Sequence, residues 1–389
     1  MQSVKGHITF CGALLFLLLL PWLPARGAGR DSTRLAVEAR FHHGFVVPHH
    51  TSMTYLLNDY ARGGELNLLR QRFGSDCWEN YLRRPETGLG LWYSTFGRSD
   101  IYGEGWALYP FINFHILETG PLQLRYRVAL GLGYANKPFK VGENTYNTVF
   151  GSHLNAYVGF GLQATYRLHR HWRLSTGASL NHMSNGSSRK PNNGINTVAW
   201  NMGLSYDLQP FSHEQWQRSK APRSAHREWV FSASMGRNQA AAYNPTRYWS
   251  GSITVNHLWY RTSTRAYGVG LDLLKFGGAP LASMNFQDLD VDQHFSSSDE
   301  IYAGILAGME SLLGTTALYI NLGTYLYQAT PARQPVYARL GVRQKLYQNW
   351  HGHFGIKANF FTAEFIEFGL AYRLPRSRDK VSPGKKEKL

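Results

Sequence analysis

Leu122-Gln-Leu-Arg-Tyr-Arg-Val-Ala-Leu-Gly-Leu132 alternates without a break. Leu122, Leu124, Tyr126, Val128, Leu130 and Leu132 take every second place, and Gln, Arg, Ala and Gly take the others. Side chains of a β-strand point alternately to its two faces, so this segment has one apolar and one polar face. Leu154, Ala156, Val158, Phe160, Leu162, Ala164 and Tyr166 repeat the pattern with Asn, Tyr, Gly, Gln and Thr between them. Apolar residues outward and polar or small residues inward is the signature of a strand in a transmembrane β-barrel.

Outward from these two runs, the same reading gives strands near 35–41, 62–72, 88–97, 102–117, 121–134, 153–168, 172–184 and 197–208. A tilted strand of roughly 9–11 residues crosses a bilayer. Pro110 makes the fourth of these the least regular, because proline gives no N–H to a ladder. The turns at Glu118-Thr-Gly120 and His169-Arg-His171 are tight, whereas 41–61, 135–152 and 185–196 are long. Short turns on the periplasmic side and long loops outside are the rule for such barrels, and 73–87 departs from it.

The rest of the composition agrees. Lys5 followed by the apolar run Leu14–Leu20, Pro21, and the small residues Ala25 and Gly27 reads as a secretory signal over 1–27, with a mature start near Ala28. No later stretch reaches the roughly 18 continuous apolar residues of a transmembrane helix. Cys11 lies in the signal and leaves Cys77 alone, which excludes an internal disulfide. The formal net charge is +16. Part of it is the tail 375–389, where Arg376, Arg378, Lys380, Lys385, Lys386 and Lys388 read as a solvated segment or as a group attracted to anionic phosphates. Nothing resembles a nucleic-acid-binding module.

The chain repeats itself in order. Ser99-Asp-Ile-Tyr-Gly103 returns as Asp299-Glu-Ile-Tyr-Ala303, and Gly203-Leu-Ser-Tyr-Asp-Leu208 as Gly369-Leu-Ala-Tyr-Arg-Leu374. Tyr157–Arg167 is echoed by Tyr337–Tyr347, and Trp172 and Trp350 open the strands that follow. The expected organisation is therefore an eight-strand unit over 28–208, a polar linker over 209–227 and a second eight-strand unit over 228–374. Two small barrels or a single ring of sixteen strands would both satisfy the pattern, and the linker favours two. Laying Trp172 on Trp350 puts Phe360 and Thr362 where the first unit has His182 and Ser184.

Those two residues are the candidate site. Leu174, Thr176, Ala178, Leu180, His182 and Ser184 share the outward face of one strand, and Asn196, Val198, Trp200, Met202, Leu204 and Tyr206 that of the next. A hairpin pairing Ser184 near Asn196 gathers a hydroxyl, an imidazole and an amide on one outward patch. A serine nucleophile needs a base within hydrogen-bond reach and a partner that orients the base. Polar groups in that place suit a substrate that is itself a lipid, with acyl chains against Leu180, Trp200 and Met202. The alternative is a non-catalytic barrel, a pore or a structural protein. His42, His43, His49 and His50 flank a loop and read as polar surface rather than a metal site, and no metal or cofactor is expected.

His182-Met-Ser-Asn185 followed by Pro191-Asn-Asn-Gly-Ile-Asn196 resembles the HxSN…NxG region of the PagL-type lipid A 3-O-deacylases. The resemblance covers about 35–208. It implies an eight-stranded outer-membrane barrel with an esterase site on its lipid-facing surface, acting on lipid A or lipopolysaccharide in the outer leaflet of a Gram-negative outer membrane. It also implies Ser184 as nucleophile, His182 as general base and Asn185 as oxyanion contributor. Where that family places a glutamate to orient the histidine, this chain has Asn196.

Overall fold

A computed structural model of the protein describes residues 32–73, 78–210, 221–283, 296–330, 334–359 and 362–375. The signal, the mature start, Cys77, Phe360, residues 211–220 of the linker and the tail beyond Pro375 lie outside the described residues.

Among the described residues, sixteen antiparallel strands form two closed barrels. The first comprises β1 (Ser32–Val46), β2 (Ala61–Phe73), β3 (Glu86–Thr95), β4 (Glu104–Thr119), β5 (Leu122–Ala135), β6 (Leu154–Arg167), β7 (Trp172–Ser184) and β8 (Ile195–Asp207). It closes where β1 pairs with β8, from Ala36 opposite Asp207 to Val46 opposite Thr197. The second comprises β9 (Arg227–Gln239), β10 (Arg247–Thr262), β11 (Arg265–Lys275), β12 (Ile301–Leu313), β13 (Thr316–Gln328), β14 (Val336–Tyr347), β15 (Trp350–Asn359) and β16 (Thr362–Pro375), and closes where β16 pairs with β9. The single ring of sixteen is thereby excluded.

The alternation works as expected. Phe160, Leu162, Leu180, Met202 and Leu204 are exposed on the outer surface of the first barrel, and Ile253, Leu271, Leu273 and Leu322 on that of the second. Trp172, Tyr206, Trp229, Trp259 and Trp350 lie at the short-turn ends of their strands and stay exposed, as an aromatic girdle does at a membrane surface. Pro110 is accommodated inside β4. It sits opposite Leu89 of β3, and the pairing with β5 lapses between Leu108–Leu132 and Phe111–Ala129, where the missing N–H would have been needed.

The inward faces carry buried charges in matched sets. In the first barrel Arg40 meets Glu38 at 3.0 Å, His42 meets Glu65 at 2.9 Å, and Arg173 meets Glu86 at 2.7 Å and Asp207 at 2.9 Å. Arg125 and Arg127 close on Glu86 and Glu65. In the second, Arg339 bridges Asp272 at 3.1 Å and Glu367 at 2.9 Å, Arg343 meets Glu310 at 2.6 Å, and Arg373 joins Glu228 and Glu310. A buried charge left alone is strongly unfavourable, so each is held by a partner. Eight strands leave an interior just wide enough for side chains to fill, and these chains fill it.

Above the first barrel the outer loops form a packed cap. Met53, Phe96, Tyr102, Val149 and Phe150 are essentially inaccessible and join Trp92, Tyr157, Met183 and Ile195 in one apolar cluster. The barrels lie side by side in the same sense. Outward Leu130 and Leu132 of β5 pack on Phe354 of β15, which Ile366 and Phe368 of β16 also cover.

The second barrel departs from the expected repeat at one place. Residues 185–194 separate β7 from β8, but only 360–361 separate β15 from β16. Thr362 therefore opens β16, opposite Asn359, and is not the counterpart of Ser184.

With both interiors plugged by ion pairs, neither barrel offers a water path. Purified protein in a planar bilayer is expected to give no steady large conductance; a persistent open channel would contradict two filled barrels.

Candidate active site

The β7–β8 register sets the site. His182 stands directly opposite Asn196, and Ser184 lies two residues further along β7 on the same outward face. The imidazole bridges them, with Nδ1 2.7 Å from Asn196 Oδ1 and Nε2 2.9 Å from Ser184 Oγ. An amide oxygen only accepts, so it fixes the proton on Nδ1. Nε2 is then left as the acceptor for the serine hydroxyl.

A residue that the sequence pattern did not connect to the site extends this chain. His49 follows β1, and its Nε2 donates to Asn193 O at 2.9 Å. That contact leaves Nδ1 of a neutral ring as an acceptor, 3.4 Å from Asn196 Nδ2. The contact of the same Nδ1 with Val47 O at 3.3 Å would need the proton there, so the shorter Nε2 bond decides between them. Asn196 thus turns its nitrogen to His49 and its oxygen to His182. The other three histidines go elsewhere. His42 is buried inside the barrel on Glu65, His43 packs on Tyr60 with ring centres 5.1 Å apart, and His50 sits beside His49.

The loop between β7 and β8 closes over the pair. Gly194 has φ +72°, and a Cβ there would stand 2.8 Å from His182 Cε1 and 3.1 Å from Ser184 Cβ. Only glycine supplies both that backbone conformation and that space. Ser184 is 5% exposed. Strand parity puts it on the lipid-facing side, as expected, but the loop shelters it.

Asn185, also buried, ties the loop down. Its Nδ2 donates to Ser152 Oγ at 3.0 Å and Arg189 O at 2.8 Å, and its N–H donates to Asn192 Oδ1 at 2.9 Å. Its amide hydrogens thus point into the loop rather than over the serine. The loop is also fastened to the second barrel. Gln239 N–H donates to Ser187 O at 2.8 Å, Lys190 N–H to Gln239 Oε1 at 2.9 Å, and Ser187 Oγ to Ala363 O at 2.5 Å. Gly186 lies so close to Ile366 that a Cβ would meet its Cγ1 at 2.4 Å.

Gly194→Ala is expected to displace the loop from His182 and Ser184. It should abolish any activity of the site while the barrel still folds, as judged by heat-modifiable electrophoretic migration. An active, folded Gly194→Ala protein would mean that the close approach is dispensable.

Each barrel matches a known family. Residues 64–205 match the family "Lipid A 3-O-deacylase (PagL)", and residues 227–377 match "Acyloxyacyl hydrolase, C-terminal domain". Among solved structures the chain is similar to Neisserial surface protein A, at 10% identity and TM-score 0.29, covering 46% of this chain and 99% of that one. It is similar to the outer membrane enzyme PagL at 14% identity and TM-score 0.29, covering 43% and 97%. It is also similar to a triple mutant of the Rhodopseudomonas blastica porin at 9% identity and TM-score 0.18, covering 88% and 100%. No curated protein matches the chain. The two family matches fall one on each barrel, the lipid A 3-O-deacylase match on the first and the acyloxyacyl hydrolase C-terminal domain match on the second.

Proposed function

We propose that this protein is an outer-membrane esterase that removes an ester-linked acyl chain from lipid A, with Ser184 as nucleophile and His182 as general base. The observation that carries the reading is the imidazole of His182, held between Ser184 Oγ at 2.9 Å and Asn196 Oδ1 at 2.7 Å on the lipid-facing side of a barrel from a deacylase family.

Ser184 Oγ attacks the acyl carbonyl carbon as His182 Nε2 takes its proton. The imidazolium then gives that proton to the departing sugar oxygen, leaving the acyl group on Ser184. Water, deprotonated by the same nitrogen, attacks the acyl-enzyme. The fatty acid leaves and the serine regains its proton. Asn196 holds the ring in the tautomer this needs, and His49 holds Asn196. An amide brings no negative charge to the imidazolium, so its contribution is orientation rather than charge stabilisation.

Asn185 adjoins the nucleophile, and a role as oxyanion donor requires its Nδ2 to exchange the Ser152 bond for the developing oxyanion. Because Ser184 is sheltered on the water side, the ester arrives laterally from the outer leaflet, with acyl chains against Leu180, Trp200 and Met202, all exposed below the pair.

Purified variants in detergent test the assignment through release of fatty acid from lipid A. Ser184→Ala and His182→Ala should each lower turnover by roughly 10³-fold or more in a folded protein. Retained turnover in a folded Ser184→Ala protein would end serine catalysis here.

Asn196→Ala should lower kcat about tenfold, the worth of roughly one hydrogen bond, with little change in KM. Asn196→Glu should keep or raise activity. Full activity in Asn196→Ala would leave a Ser/His dyad without this third member.

A further inference from the structure

Three arginines gather where the loop over the site meets the second barrel. Arg189 lies in that loop, and its carbonyl takes the Asn185 amide hydrogen bond at 2.8 Å. Arg237 and Arg247 lie near the outer-loop ends of β9 and β10. Arg247 stands opposite Gln239, the residue that fastens the loop through Ser187 and Lys190. Arg237 is exposed on the outward face of β9 and lies over the ring of Trp249 at 5.1 Å. Trp249 is 56% exposed and shares the outward parity of Arg247 on β10. The group therefore sits at the height of the lipid head groups, where tryptophan and arginine settle at a membrane surface.

Arg247 faces Gln239 one same-face ladder step from the Arg237–Trp249 pair, and Gln239 takes the N–H of Lys190, next to Arg189; among the described residues none of the three arginines is in an ion pair with a carboxylate. The buried arginines inside both barrels, such as Arg173, Arg339 and Arg343, are matched with glutamate or aspartate. Three like charges held together without an acid repel one another, and an anion between them removes that cost. Guanidinium groups are also the side chains best shaped to grip phosphate oxygens in pairs. The hydrogen bonds of the loop with Gln239 and with the Ala363 carbonyl, which accepts from Ser187 Oγ, hold the contributions of the two barrels in register.

We infer that Arg189, Arg237 and Arg247 form a phosphate-binding cradle for the head group of the same lipid whose ester is presented to Ser184. The inference rests on the esterase reading and names the part of the substrate that the second barrel recognises. Two of the three side chains come from that barrel, which gives it a part in binding although it lacks the β7–β8 loop. The ligand chemistry is a phosphate monoester carried on the sugar of an acylated glycolipid.

The test compares lipid A with the same lipid after enzymatic removal of its phosphates, using full-length protein in detergent. Wild type should favour the phosphorylated substrate in kcat/KM. In the Arg237→Gln, Arg247→Gln double variant that preference should shrink about tenfold or more, mainly through KM, as expected for lost charge-assisted hydrogen bonds. An unchanged preference, or an equal loss on both substrates, would overturn the cradle; the latter would mark general attraction to lipid.

Should the double variant fail to fold, salt titration of wild type answers the same question. KM for the phosphorylated substrate should rise more steeply with salt than KM for the dephosphorylated one, and equal slopes would overturn the proposal. Hydrolysis of neither substrate by wild type would instead count against the esterase reading. Tryptophan-fluorescence titration with the two lipids then reads the cradle without turnover. The double variant should bind the phosphorylated lipid about tenfold more weakly, and equal affinities in wild type and variant would refute the cradle.

Discussion

A strand in hydrocarbon has no water to turn to, so every N–H and C=O along it must find its partner in another strand. The closures of β1 on β8 and of β9 on β16 satisfy this demand, and much else follows from them. Rings of eight strands leave narrow interiors, which Glu38, Glu65, Glu86 and Arg173 fill on one side and Asp272, Glu310, Arg339 and Glu367 on the other. With the inside occupied, chemistry on a membrane lipid has to be built on the outside. It has to lie near a strand end, where loops can cover polar groups that bare lipid would not tolerate. Ser184 is the last residue of β7.

Ladder geometry then does much of the positioning. One cross-strand pair, His182 with Asn196, brings ring and amide together, and the strand period carries Ser184 to the same face. The loop adds enclosure. Gly194 lets the backbone come down onto the pair, and Asn185 and Asn192 bind the loop to itself. The loop does not stand on its own barrel alone, since Gln239, Ala363 and Ile366 hold its far side. Two filled barrels packed through Leu130, Leu132, Phe354 and Phe368 thus support one site.

Much of this was legible in the sequence because it is periodic. The limits of β7 follow from alternation between Trp172 and Ser184, and the outward parity of His182, Ser184 and Asn196 follows from the same count. The order of the echoes matches β6, β7 and β8 to β14, β15 and β16. What was not legible depends on contacts without a period. Alternation is the same in a ring of eight and a ring of sixteen, so closure could not be read from it. His49 meets Asn196 across 147 positions of sequence, and nothing local marks it. Counting from Trp350 misplaced Thr362 because the second hairpin lacks most of the loop that the first one has. The shelter over Ser184 comes from a loop and a neighbouring barrel, neither of which strand parity describes.

The central claim is that this arrangement is built to cut an acyl ester of the outer leaflet. Mass spectrometry of lipid A from Gram-negative cells expressing the full chain tests it most directly, compared with the same cells lacking it. The account predicts a new lipid A species lighter by one ester-linked hydroxyacyl chain, present with the wild-type protein. An unchanged lipid A profile, with the protein folded in the outer membrane, would contradict it.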